Sequence, residues 1–122
     1  MSLRMIPTAF HGAIDYLTGG TLLAAPRLLG LRDAPRAALV LRAAGGGAIA
    51  YSLITDYELG LLRLLPMPAH LALDAASGVF VATSPWLLGF AGKGTRYWLP
   101  HVLVGAMEII AATTTKTEPA SG

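Results

Sequence analysis

The sequence predicts an all-α protein: an integral membrane four-helix bundle built from two tandem helical hairpins. Three observations predict it. Of the 122 residues, 54% are hydrophobic and only 13% charged, against roughly 25% charged in an ordinary soluble domain, and the mean hydropathy is +0.59. The apolar residues gather in four segments, 8 to 31, 37 to 56, 68 to 90 and 97 to 114, each near the ~20 residues that cross ~30 Å of hydrocarbon as helix. The chain also repeats itself. Displaced by 59 positions, HGAIDYLTGGTLLAAPRLLGL at 11–31 falls on HLALDAASGVFVATSPWLLGF at 70–90.

Segment 1 opens after Pro7, where a missing N–H costs nothing, and runs to Gly30, a residue suited to a helix end; Pro26 should loosen its last turn. Segment 2 carries Arg42 and the small-residue run AAGGGAIA, which permits close helix approach in lipid. Segment 3 repeats the first: Pro68 lies at its start, Pro85 near its end and Gly89 after it, with no charge from Ala75 to Gly92. Segment 4 holds His101 and Glu108. Continuing the offset of 59 sets Arg42 on His101, Gly46 on Gly105 and Ile49 on Glu108, so each repeat is a pair of helices. Repeat one is expected over 8–56 and repeat two over 68–114, in a single membrane domain 1–115. The tail 116–122 is small and polar and is expected to be disordered. A soluble helix needs a polar face, and segments 2 and 3 offer none.

Composition excludes several classes. There is no cysteine, so disulfides, iron–sulfur clusters and zinc fingers are ruled out. The net charge of +2 is spread singly, without the basic stripe that nucleic acid requires. No phosphate loop, nucleophile elbow or HExxH motif is present, and an enzyme is the least supported class. The start lacks the pattern of a cleavable signal, so the first segment is expected to be retained. Arg27, Arg32, Arg36, Lys93 and Arg96 flank the first and third connections, against Arg4, Arg63 and Lys116 at the other end. The positive-inside rule then places loops 32–36 and 91–96 in the cytoplasm and both termini outside. The lipid bilayer is the expected partner. A homo-oligomer is also expected, because four short helices enclose little volume.

Residues four apart share a helix face, so His11 stacks on Asp15 and His70 on Asp74, each pair near the outer end of its helix. Segment 4 runs the opposite way and returns Glu108 to a similar depth; Asp56 and Glu58 close segment 2 just above. Ionisable groups inside a membrane are costly and mark an ion path, a ligand site or a proton relay. The candidate site is therefore His11, Asp15, His70, Asp74 and Glu108, with Asp56, Glu58, Arg42 and His101 secondary. Proton or ion handling is one role. Polar clasps, His11 with Asp74 and His70 with Asp15, are the structural alternative. The same five residues suit a divalent metal. A bis-histidine haem would use His11 and His70, and the adjacent carboxylates count against it. Arg42 reads as snorkelling to the interface or facing an anion entrance; Trp86, Tyr97 and Trp98 at one end, and Tyr16, Tyr51 and Tyr57 nearer the other, read as interfacial rings.

SPWLLGF at 84–90, with Asp74 and Gly78 at matching intervals before it, resembles the SPW-repeat integral membrane proteins, small bacterial proteins of two-helix repeats. The second repeat keeps Ser84, Pro85 and Trp86, whereas the first reads Ala25, Pro26, Arg27. HGAIDYLTG, TDYELGLLRLLPMPAHLALD and WLPHVLVGAMEI look like a subgroup with ionisable residues at sites otherwise amide or aromatic. The resemblance implies an architecture and a location in the cell (inner) membrane, and no reaction.

Overall fold

Proline and glycine punctuate the chain into four helices in the computed structural model, which describes residues 3–120. These are α1 Thr8–Leu28, α2 Pro35–Leu53, α3 Met67–Leu87 and α4 Thr95–Thr114, with a single 3₁₀ turn, Ala91–Lys93, before α4. Pro7 and Pro66 stand extended before α1 and α3 (φ −63° and −60°). Their carbonyls accept from the N–H of His11 and His70, each at 3.0 Å. The same proline cap thus sets both histidines one turn into their helices. At the far ends Gly30 and Gly89 take positive φ, 66° and 76°, and the next N–H reaches back to Pro26 O (2.9 Å) and Pro85 O (2.8 Å). This closure needs a left-handed residue, and it tucks Leu31 and Phe90 into the core.

Pro85 has no N–H to offer the Val81 carbonyl one turn back. The Ser84 hydroxyl donates to that carbonyl instead, at 2.7 Å, so the Ser-Pro pair repairs its own helix. Ala25 before Pro26 has no hydroxyl for this. Trp86 and Arg27, which follow the two prolines, are both exposed at the same end of the bundle.

Each repeat is a tight antiparallel hairpin closed by two glycines facing one another. A Cβ on Gly45 would stand 2.6 Å from Gly19 O, and one on Gly78 would stand 2.7 Å from Gly105 O. These pairs correct the register read from the sequence. Gly19 and Gly78 are 59 apart, but Gly45, not Gly46, matches Gly105. The first connection is one residue shorter than the third, so the second helix of each repeat follows an offset of 60. His101 is therefore equivalent to Leu41, and Glu108 to Ala48 rather than Ile49. Arg42 and His101 do not pair: Arg42 is exposed, whereas His101 is buried, donating Nε2–H to Ala37 O at 3.0 Å and stacking on Phe90.

The two hairpins meet through α2 and α3, and the ring closes where the chain ends meet. Met5 and Ile6 N–H donate to Thr114 O, and Lys116 N–H donates to Ile6 O. The Ile6–Thr115 bridge has its repeat counterpart in Thr55–Leu65, giving an approximate two-fold relation between the hairpins. Of the tail expected to be disordered, Lys116 is held in this way and Ala120 N–H lies 3.3 Å from Glu58 Oε2; residues 121–122 lie outside the described residues. Among the described residues, no helix is long and apolar enough to cross a membrane.

The glycine contacts divide the chain's glycines sharply. Gly45→Val should lower stability by about 1–3 kcal/mol through overpacking. Gly47→Ala, where a Cβ meets nothing within 4 Å, should raise it by about 0.4–1 kcal/mol. Thermal unfolding followed by circular dichroism reads both; an unchanged midpoint for Gly45→Val would refute the close approach.

Candidate functional site: a buried His–Asp cluster

Because α1 and α3 start identically, they deliver His11, Asp15, His70 and Asp74 to one point between the hairpins. All four are buried, His70 completely. The crossing contacts are reciprocal: His11 Nε2 lies 2.8 Å from Asp74 Oδ2, and His70 Nε2 lies 3.0 Å from Asp15 Oδ2. Within each helix, one turn apart, His11 Nε2 stands 3.1 Å from Asp15 Oδ1 and His70 Nε2 3.3 Å from Asp74 Oδ2. The two imidazoles meet edge to face, with centroids 5.3 Å apart.

The opposite nitrogen of each ring settles its tautomer. His11 Nδ1 is 2.7 Å from Thr115 Oγ1, and His70 Nδ1 is 2.7 Å from Thr55 Oγ1. Both threonine hydroxyls already donate to the carbonyl one turn back, Thr115 to Ala111 O and Thr55 to Tyr51 O, at 2.6 Å. A hydroxyl has one proton, so each threonine can only accept from its histidine, and each Nδ1 carries hydrogen. Both Nε2 atoms therefore turn towards carboxylate oxygens, and a lone pair cannot face an anion at 2.8 Å. A proton, carried by the ring or by the acid, or a cation stands between them.

Two tyrosines steady the carboxylates. Tyr51 donates to Asp74 Oδ1, and Tyr57 donates to Asp15 Oδ2 at 2.9 Å. Both rings also pack on His70. Burial and the neighbouring Asp15 carboxylate push the Tyr57 phenol above its ordinary range, which keeps it a donor. Tyr57 reaches the core because the connection after α2 folds tightly, with Gly60 against the Thr55 carbonyl and the Asp56 and Leu61 N–H groups bonded to Leu65 O and Leu53 O.

Glu108 stands beside the four rather than among them. It shares a cavity of about 30 Å³ with His11, Asp15 and Asp74, and its Oε2 is buried without a hydrogen-bond partner. That space has the volume of one water; the imidazoles themselves meet edge to face with both Nε2 atoms against carboxylates, which leaves no room for a porphyrin between them. Asp56 is exposed in the connection. Glu58 accepts from Thr8 Oγ1 at 2.6 Å, tying the start of α1 to that connection. Arg42 lines a wide depression with Arg27 and Arg32 at the opposite end. There Tyr97 donates to Asp33 (2.9 and 3.0 Å) and Lys93 to Asp33 O, joining the first and third connections.

Thr55, Thr115, Tyr51 and Tyr57 are the members that sequence reasoning missed. The tyrosines read as interfacial rings, and Thr115 as the last residue of the membrane domain, with no role. The available signal was a threonine four residues beyond position 51 and another four beyond position 111, at the corresponding helix ends. The run Thr113–Thr115 hid it, because an offset of 59 lands on Thr114.

Asp74→Ala leaves His11 and Tyr51 without their acceptor and should cost about 3–5 kcal/mol, whereas Asp56→Ala should stay within about 0.5 kcal/mol; comparable denaturation midpoints for the two would contradict the crossing pairs. A second outcome follows at the rim. Burial raises the Glu58 carboxyl, but bonds from Thr8 and the Ala120 N–H outweigh it and leave the group below its ordinary value. Its contribution is present above about pH 4.3, the unfolded Glu value, and is lost as pH falls through the depressed folded value. The protection factor of the Ala120 amide, corrected for the pH dependence of intrinsic exchange, should fall over that acid range in the wild type and be low throughout in Glu58→Ala.

No curated protein and no solved structure matches the chain. Residues 9–115 match the SPW repeat domain, a span that takes in both hairpins, all four cluster residues and Thr115. The chain belongs to the SPW repeat domain family.

Proposed function

We propose that the chain is a multi-pass protein of the cell membrane whose central His11–Asp15–His70–Asp74 cluster handles protons or other cations, with Glu108 lining the approach. The observation that carries this reading is inverted polarity. The interior of the bundle, towards one end, holds two histidines and two aspartates, while its circumference presents Phe10, Leu17, Leu39, Val79, Phe80, Leu103 and Ile110 to the surroundings. A helix in water shows the opposite arrangement, and a contiguous apolar surface marks contact with another apolar phase. Helices of 19 to 21 residues have lengths of about 30 Å, the thickness of the hydrocarbon layer.

Hydropathy averaged along α1 or α3 counts the inward face with the outward one, whereas in α2 the exposed Arg36 and Arg42 lower it. His11 and Asp15 depress α1, and His70 and Asp74 depress α3, although all four are buried. Five basic residues near the first and third connections favour a cytoplasmic placement for loops 32–36 and 91–96, with both termini outside. The resemblance to SPW-repeat membrane proteins agrees with this reading. Small interior volume favours a homo-oligomer.

The second reading, a pair of helix clasps, is favoured by one specific observation: the crossing contacts His11–Asp74 and His70–Asp15 are reciprocal. Proteoliposomes separate the two. A proton gradient reported by an enclosed pH dye should dissipate faster with wild-type protein than with Asp15→Asn/Asp74→Asn, which should sit at the protein-free background. Background rates for both proteins would leave the clasp and remove cation handling.

A further inference from the structure

Resting on the reading of the cluster as a cation site, we infer that its ligand is a single divalent transition-metal ion of zinc-like preference. Its ligands are Nε2 of His11, Nε2 of His70 and one carboxylate oxygen each of Asp15 and Asp74. Each residue offers one ligand atom, and the four atoms lie within 4.8 Å of one another. A metal bonded at about 2.0–2.2 Å to nitrogen and oxygen draws such a set together by small side-chain adjustments.

The independent observation is His70. Its ring is fully buried, and its Nε2 is close to both carboxylates yet has no hydrogen-bond partner. The nitrogen is aimed between the two acids and aligned with neither. A proton on it serves no acceptor well, whereas a metal ion on the lone-pair axis binds the nitrogen and both acids at once. The outer contacts fit the same reading. Thr55 and Thr115 hold each Nδ1–H, which directs Nε2 inward; this is the support that metal-bound histidines ordinarily have. Tyr51 holds Asp74 Oδ1 and leaves Oδ2 turned to both imidazoles. Two carboxylates and two neutral rings carry a charge of −2, so one divalent ion makes the site neutral, as a low-dielectric interior requires. Mixed imidazole and carboxylate ligation favours zinc, iron or manganese over calcium and magnesium, which prefer oxygen alone.

The test uses the full chain in detergent, stripped with a chelator and titrated with Co2+ and then Zn2+. One equivalent of Co2+ should give the visible bands of a nitrogen–oxygen site, and Zn2+ should displace it while excess Mg2+ does not. His70→Gln and Asp74→Asn should weaken binding more than a hundredfold. Thr55→Val and Thr115→Val keep all four ligands and should weaken it about 10- to 100-fold with the bands retained; they carry the test if the ligand variants do not fold. Wild-type protein that takes up no stoichiometric Co2+, or Thr variants that bind as tightly as wild type, overturns the metal assignment. If proton flux still depends on Asp15 and Asp74 in that event, the metal alone is lost and proton handling stands. Stoichiometric Co2+ with background flux in every protein would sink movement through the membrane and keep the metal.

Discussion

Two imidazole nitrogens and two carboxylates that converge in an apolar interior repel one another unless a proton or a cation lies among them, and the rest of the bundle is arranged around that requirement. The threonine hydroxyls commit their protons to backbone carbonyls and thereby commit each Nδ1 as a donor. With that choice made outside the cluster, both Nε2 atoms must face the acids. Tyr51 then occupies the Asp74 oxygen turned away from the imidazoles and leaves the other to them, whereas Tyr57 shares Asp15 Oδ2 with His70. Every polar atom around the rim narrows what the centre can accept.

The helices are shaped to deliver this convergence. Extended prolines begin α1 and α3 at equivalent points, so His and Asp arrive in the same phase from both sides. Gly19 against Gly45 and Gly78 against Gly105 let each hairpin close tightly with little side-chain bulk between its helices. At the other end the chain relies on charge and ring contacts: Asp33, Lys93, Arg96 and Tyr97 bind the two connections together. One end of the bundle is held by a buried polar knot and the other by a half-exposed one.

The sequence makes the four helices legible because prolines or glycines mark the starts of all four and the ends of α1 and α3, and it makes the His–Asp crossing legible because residues four apart share a face. The register of α2 and α4 was not legible in the same way. The third connection is one residue longer than the first, which rotates the second helix of repeat two by about 100° against any ungapped comparison; this is why Arg42 is matched to His101 and Ile49 to Glu108 in the sequence. Thr55 and Thr115 escaped notice for a different reason: a threonine at a helix end has many uses, and only its distance from a ring nitrogen tells which one applies. Hydropathy along the chain is ambiguous for a third reason. It adds the inward and outward faces of a helix, and in α1 and α3 the inward face carries the His–Asp pairs.

The meeting of the chain's ends bears on how such a protein arises. Ile6 bridges Thr115 at the place where, in the other half, Leu65 bridges Thr55, so the terminal seam and the interhelical connection are copies of one joint. Each hairpin carries one histidine, one aspartate and one threonine of the central arrangement, and each supplies its threonine to the other hairpin's histidine. Two separate copies of a half-length ancestor would therefore complete the arrangement only by pairing, and the present chain is that pair made covalent. Fusion frees the halves to diverge, and they have done so: Tyr51, Tyr57 and Glu108 each occur in one half only, giving a symmetric centre an asymmetric surround.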